Sequence, residues 1–465
     1  MKLRISISSL IYLLVNIILI VPIFVMLRED CNVYITVVVL VQLLLSIRAL
    51  RKLDIPLYSL QVLFILLSTI FHFGQAYLLA IGRIDLFNYT NIDLARSMRT
   101  YNLANIFALF VQSFVVCGML NIRVFLKNKN SIPKKQVIRN DELKRVYRIG
   151  TLLFCIGVVP NFVYYFTQVK IILAGGNYAG IREAIDYGPV TLLKTFYTPG
   201  ILMMLIGSKH NKRRAQIITI VGILFECYCM ISGNRAQQIL MILSFLFIYY
   251  RLVSRITPFK VFLFLFVGYY FSGVLYFISA YRNFNISDGE NLQERFLSIL
   301  SGGPIYDLLA QLGSNLNVVT LTLVSIPEYH SFNYGLTYLI SWLSIYPNTG
   351  GILGDIPNMY VFLNYLETNL PLGGSYIGEL YFNFGWFSFP IAVLVGSFIG
   401  YVGNKIEDSI NQNNWIEFSI GMVLFSKLLW WIRDYFFSWI FIFIWSALVI
   451  YVLNKYFIEI ANRKR

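Results

Sequence analysis

Glu379 lies in the stretch Gly373-Gly374-Ser375-Tyr376-Ile377-Gly378-Glu379-Leu380-Tyr381-Phe382-Asn383-Phe384-Gly385-Trp386. In a helix, Tyr376, Glu379 and Asn383 fall at i, i+3 and i+7, so they form one polar stripe on an otherwise apolar segment. An ionisable residue on such a stripe faces the interior of a helix bundle and marks a functional site by default. Its carboxylate could act as a general base, or it could pair with an arginine to hold helices in register.

Three arginines stand at the ends of apolar runs. Arg235, in Ser232-Gly233-Asn234-Arg235-Ala236-Gln237, enters the first turn of a helix that Ser232 or Asn234 can cap. The macrodipole there is already positive, so a cation is misplaced unless an anion binds between it and the free N–H groups. Arg282 closes another run in Tyr281-Arg282-Asn283, and Arg182 sits with Glu183 and Asp186 in Gly175–Gly188, flanked by Tyr178 and Tyr187. Aromatic rings of this kind commonly stack on sugars. Singly, each arginine could snorkel to lipid headgroups or join an ion pair; at one membrane depth, the three fit a diphosphate.

Of the histidines, His72 lies in an apolar run, His330 follows Pro327-Glu328-Tyr329 in a long connection, and His210 belongs to a basic loop. His330 could serve as an acid, a base or a sugar contact. The five cysteines are an odd number, mostly within apolar runs, and no HExxH, paired CxxC, loop DxD or Walker pattern occurs. No metal or other cofactor is expected.

The elements that carry these residues must be membrane helices. The chain is 57% hydrophobic and 13% charged, where soluble chains carry roughly 25% charged residues. Apolar runs fall at 5–27, 33–47, 57–81, 101–121, 149–167, 190–207, 216–232, 237–250, 261–280, 378–402, 415–432 and 437–454. They predict an all-α polytopic membrane protein with about 12 transmembrane helices, the first of them uncleaved behind Lys2 and Arg4. The formal charge of +15 falls mainly on one set of connections, which places both termini in the cytoplasm. No basic cluster sits on a soluble domain, so no nucleic-acid partner is expected; the cluster Arg123 to Arg148 reads as an anchor at anionic headgroups. The expected organisation is an N-terminal bundle over 1–280, an extracytoplasmic loop over 281–377 and a C-terminal bundle over 378–465. Within the loop, Leu316–Ile326 and Leu336–Tyr346 are too short to span and read as interfacial or re-entrant.

The stretches Phe71-His72-Phe73-Gly74-Gln75, Ser232 to Gln237, Ala280 to Asn283 and above all Gly373 to Trp386 resemble the Wzy-type O-antigen and capsule repeat-unit polymerases of bacteria. The resemblance implies a GT-C-like membrane glycosyltransferase in the bacterial inner (plasma) membrane. Its substrate would be oligosaccharide linked to undecaprenyl diphosphate, with membrane lipids and a chain-length regulator as partners. Under it, Glu379 is the first candidate base and His330 the second. Arg182, Arg235 and Arg282 would hold the diphosphate, Tyr178, Tyr376 and Asn383 would contact glycan, and His72 would support the site. Two alternatives stay open: a ligase that passes finished glycan to another acceptor, and a flippase or secondary transporter.

Overall fold

The computed structural model describes residues 6–26, 31–83, 98–129, 140–173, 192–232, 235–283, 297, 303–345 and 373–463. Among the described residues there is no strand. Hydrocarbon cannot satisfy backbone N–H and C=O groups, so an apolar chain buried in it must bond to itself as helix.

The helices are α1 Ile7–Met26, α2 Asn32–Lys52, α3 Leu60–Ala80, α4 Met98–Lys129, α5 Asn140–Leu173, α6 Tyr197–Gly207, α7 Lys212–Met230 and α8 Arg235–Leu252. There follow α9 Pro258–Asn283, α10 Pro304–Gly313, α11 Leu316–Ser325, α12 Leu336–Leu343, α13 Tyr376–Phe384, α14 Ser388–Asn411, α15 Trp415–Trp431 and α16 Phe437–Arg463. By length and composition, 8 spans among the described residues can cross a membrane. The stretch expected at 33–47 gains residues at both ends and reaches 21 in α2. A second difference concerns 316–326, read from sequence as too short. With α10 added, Ile305–Ser325 attains the length of a span. The polar Asp307 and Gln311 concealed that first half.

Large apolar side chains stand outward along the spans: Ile7 is 80% exposed, Val25 77% and Val159 64%. Such a surface has hydrocarbon as its solvent. Polar side chains turn inward instead. Gln42 donates to Ser113 Oγ at 2.6 Å, and Tyr12 OH lies 2.7 Å from Ser46 Oγ. Inside a bundle these hydrogen bonds substitute for the burial of apolar area that holds soluble helices together.

Two compact units divide the chain. One comprises Met1–Lys134, Leu309–Glu407 and Lys427–Phe441; the other comprises Lys135–Leu308, Asp408–Ser426 and Ile442–Arg465. In the first, Arg123 Nε donates to Leu53 O at 3.2 Å and its Nη1 to Asn404 Oδ1 at 3.1 Å, which gathers three connections expected on the basic side. In the second, the N–H of Ile416 donates to Glu142 Oε1 at 3.1 Å, and Lys209 Nζ sits 4.0 Å above the Trp415 ring. Antiparallel α5 and α6 pack through glycines at matched seven-residue spacing. A Cβ at Gly150 would stand 2.6 Å from Met204 N, and one at Gly207 2.7 Å from Tyr147 N. Only residues without a side chain permit that backbone approach.

Candidate active site around Glu379

The stripe predicted from sequence is helical. Ser375 caps α13, its Oγ accepting from the N–H groups of Ile377 and Gly378 at 3.2 Å each. The helix runs Tyr376–Phe384 and breaks at Gly385, whose φ of +54° is a left-handed conformation that only glycine adopts without strain. A 3-10 turn, Gly385–Phe387, leads into α14. The break was not expected, although Gly385 occupies the position where it occurs.

Glu379 is fully buried. Its Oε2 accepts from the N–H of Phe436 at 2.9 Å and from Trp431 Nε1–H at 3.5 Å, and its Oε1 from the Thr337 hydroxyl at 3.4 Å. All three donors are neutral, and no cation among the described residues pairs with the carboxylate. Among the described residues, the helix-registering ion pair that the sequence left open has no counterpart at this position. Tyr338 lies beside Glu379. Burial, followed by the charge of Glu379, holds its phenol well above the ordinary tyrosine range, and its buried OH has no hydrogen-bond partner among the described residues.

Asn383 sits one turn on. Its Nδ2 donates to Thr337 Oγ1 at 2.7 Å and to Glu379 O at 2.8 Å, while its Oδ1 accepts from the N–H of Gly335 at 3.1 Å. Asn383 thus fastens the start of α12 to α13 and sets Thr337 against the carboxylate. Tyr376 is also buried: its OH lies 3.0 Å from Ser68 Oγ, which accepts from Gln112 Nε2 at 2.8 Å. Both expected glycan contacts on α13 therefore have their polar atoms on protein partners.

His72 fixes the other end of α13. Its Nδ1 lies 2.9 Å from Ser68 O, and a carbonyl can only accept, so Nδ1 carries the proton. Nε2 then accepts from the Ser375 hydroxyl at 2.9 Å and from Asn315 Nδ2 at 3.2 Å. Asn315 also donates to Ile432 O at 3.2 Å, and Gln75 Nε2 donates to Ala310 O at 3.1 Å. The Phe-His-Phe-Gly-Gln stretch of α3 thereby meets the break between α10 and α11.

The turn between α15 and α16 supplies residues to which the sequence reading gave no role. Arg433 O accepts from the N–H of Gly374 at 3.1 Å, and a Cβ on Gly374 would come within 2.8 Å of Asp434 C and Cα. Gly374 therefore presses its backbone on Asp434, and a Cβ on Gly373 would stand 3.5 Å from Arg433 Nε. Asp434 is buried, which lifts its carboxyl to about 6 against the opposing pull of the Tyr435 N–H, Ser438, Trp430 and Arg433. Its charge is also felt at Glu379. The signal available in the sequence was an Arg-Asp pair in the short connection between two apolar runs.

His330 follows α11 in a turn closed by its N–H on Ser325 O, beside the C-terminal end of α13, where the N–H of Asn333 donates to Phe382 O. Arg235 is the first residue of α8, in the second unit. Ser232 turns its hydroxyl to Cys229 O at 2.7 Å and so serves the end of α7. Arg282 belongs to α9, and Arg182 and Tyr178 lie outside the described residues.

No curated protein and no solved structure matches the chain. The family model described as O-antigen polysaccharide polymerase Wzy matches residues 5–465, essentially its whole length, and the chain belongs to that family.

Proposed function

We propose that this protein polymerises oligosaccharide repeat units carried on undecaprenyl diphosphate at the outer face of the bacterial inner membrane. Family membership implies O-antigen repeat-unit polymerisation at the membrane by a glycosyltransferase-type enzyme that acts on lipid-linked oligosaccharides. In the proposed reaction the growing glycan leaves its lipid diphosphate for the non-reducing end of a new lipid-linked unit. The architecture we propose has twelve crossings in a GT-C-like arrangement with both termini cytoplasmic, and a chain-length regulator as partner.

The observation that carries the site assignment is the buried Glu379 carboxylate, met among the described residues by three neutral donors. In our reading Glu379 takes the proton of the acceptor hydroxyl. The hydroxyl oxygen bonds to the anomeric carbon, and the bond from that carbon to the diphosphate breaks with its electron pair on the leaving oxygen. One displacement of this kind inverts the anomeric centre. Lipid diphosphate is already a good leaving group, so the protein chiefly supplies cations aimed at its developing charge. Arg182, Arg235 and Arg282 take that role, with Arg433 as a fourth. The eight-residue α12 covers Glu379 through Thr337 and carries outward Leu339 and Trp342, so the acceptor reaches the carboxylate by displacing α12. His72 and Tyr376 hold α13 in place, and His330 is the second candidate base.

The test is reconstitution with a synthetic undecaprenyl-diphosphate-linked repeat unit and gel separation of products by length. A ladder is expected from the wild type. None with the correct repeat unit, or transfer of single finished chains to another acceptor, would overturn the polymerase reading.

A further inference from the structure

The second unit holds a cleft of about 630 Å³ between the start of α5 and the end of α16. Its polar wall is Asp141, Glu142, Lys144, Arg145 and Arg148, and the facing wall includes Phe457, Ile458 and Ala461. Lys144, Arg145 and Arg148 fall at i, i+1 and i+4, so their cations crowd one face of α5. Arg145 Nε is buried with no hydrogen-bond partner among the described residues. Of the two carboxylates, Glu142 is already engaged by the N–H of Ile416. Three cations against two carboxylates leave the cleft with net positive charge, facing a wall of Phe457, Ile458, Ala461 and Asn462.

Its height relative to the membrane follows from helix length. Thirty-four residues make α5 about 51 Å long, against a hydrocarbon core of about 30 Å. The charged first turns, up to Arg148, must overhang, and the apolar run begins immediately after them. From Arg148 an outward ridge continues through Leu152, Ile156, Val159 and Val163, each three or four residues apart and exposed. Leu448, Val452 and Tyr456 form the matching outward ridge of α16, ending at the cleft. Acyl chains lying on these ridges would bring a headgroup to the three cations.

We propose that this cleft is a binding site for an anionic phospholipid, the phosphodiester held by Lys144, Arg145 and Arg148 and the glycerol backbone lying against Phe457 and Ile458. The site shares no residue with the proposed chemistry and stands whether or not that reading holds.

The full-length protein in detergent is titrated with dioleoyl phosphatidylglycerol, dioleoyl phosphatidylethanolamine or inorganic phosphate, and bound lipid is read by native mass spectrometry. Phosphatidylglycerol should bind in preference to phosphatidylethanolamine, and inorganic phosphate should not displace it. Each cation removed should weaken phosphatidylglycerol binding about fivefold, the equivalent of about 1 kcal/mol for a basic residue at an anionic surface. K144Q should therefore lose about fivefold and R145Q/R148Q about 25-fold, whereas R213Q, an exposed arginine of α7, should bind like the wild type. Lys144 is exposed, so K144Q keeps the test valid if the double variant fails to fold. Equal binding of the two lipids, displacement by inorganic phosphate, or unchanged binding in K144Q would overturn the proposal.

Discussion

The backbone N–H of Phe436 donates to Glu379 Oε2 at 2.9 Å. A residue in the turn between α15 and α16 thus orients a carboxylate on α13, and of all side-chain substitutions only proline would remove this backbone donor. The contact holds one carboxylate oxygen in place, while the other accepts from the Thr337 hydroxyl, at 3.4 Å.

Glu379→Gln keeps the shape of the side chain and an oxygen for the Phe436 N–H, but it removes the proton acceptor. General-base catalysis contributes about 10²–10⁴-fold, so the ladder-forming rate should fall by about that factor while the protein elutes and melts like the wild type. A variant that polymerises at the wild-type rate would remove Glu379 from the mechanism.

Gly374→Ala and Gly373→Ala should differ sharply. The methyl at 374 meets the Asp434 backbone at 2.8 Å, whereas at 373 the nearest atom stands 3.4 Å away. Overpacking against backbone costs about 1–3 kcal/mol, so Gly374→Ala should lower the melting temperature and impair polymerisation, with Gly373→Ala close to wild type. Parallel thermal melts and product gels on the two variants check this.

His72→Ala and Ser375→Ala should not add. Each removes one side of the Nε2–Oγ hydrogen bond, and the His72 change also strips Asn315 Nδ2 of one acceptor. Contacting residues in one network couple by about 0.5–3 kcal/mol. A double-mutant cycle on denaturation midpoints should show the pair less destabilised than the sum of the singles; strict additivity would mean that the contact carries no coupling.

Asp434 gives stability a pH dependence of definite sign. Its carboxyl titrates near 6 in the fold against 3.8 ordinarily, so the folded state holds the proton more tightly. The stabilisation from that proton is complete below about 3.8 and is lost as pH rises through about 6. Asp434→Asn should flatten the melting-temperature profile between those values and raise it at neutral pH relative to the wild type. A profile as steep in the variant as in the wild type would place the titration elsewhere.

Much of this protein was legible in one dimension because the membrane imposes a simple rule. Apolar runs long enough to cross hydrocarbon must be helices, and a helical period then places Tyr376, Glu379 and Asn383 on one stripe before any packing is known. The Gly373-to-Trp386 stretch carried both that stripe and the family resemblance, which the match over residues 5–465 bears out. Local rules served less well at helix ends. Ser232 closes α7, and α10 joins α11 to reach the length of a span, because caps and breaks depend on which backbone groups remain unpaired after the chain has folded.

Sequence alone determined the all-α membrane class, the polar stripe of α13 and the glycine pair ahead of it. Only the tertiary structure decided what surrounds Glu379. Trp431, Phe436 and Asp434 lie more than fifty residues further along the chain, and His72 reaches Ser375 across 303 residues. Hydropathy reports how each segment partitions between lipid and water, which is a property of that segment by itself. Which donors meet a buried carboxylate depends on how separate helices pack, and no local period encodes that.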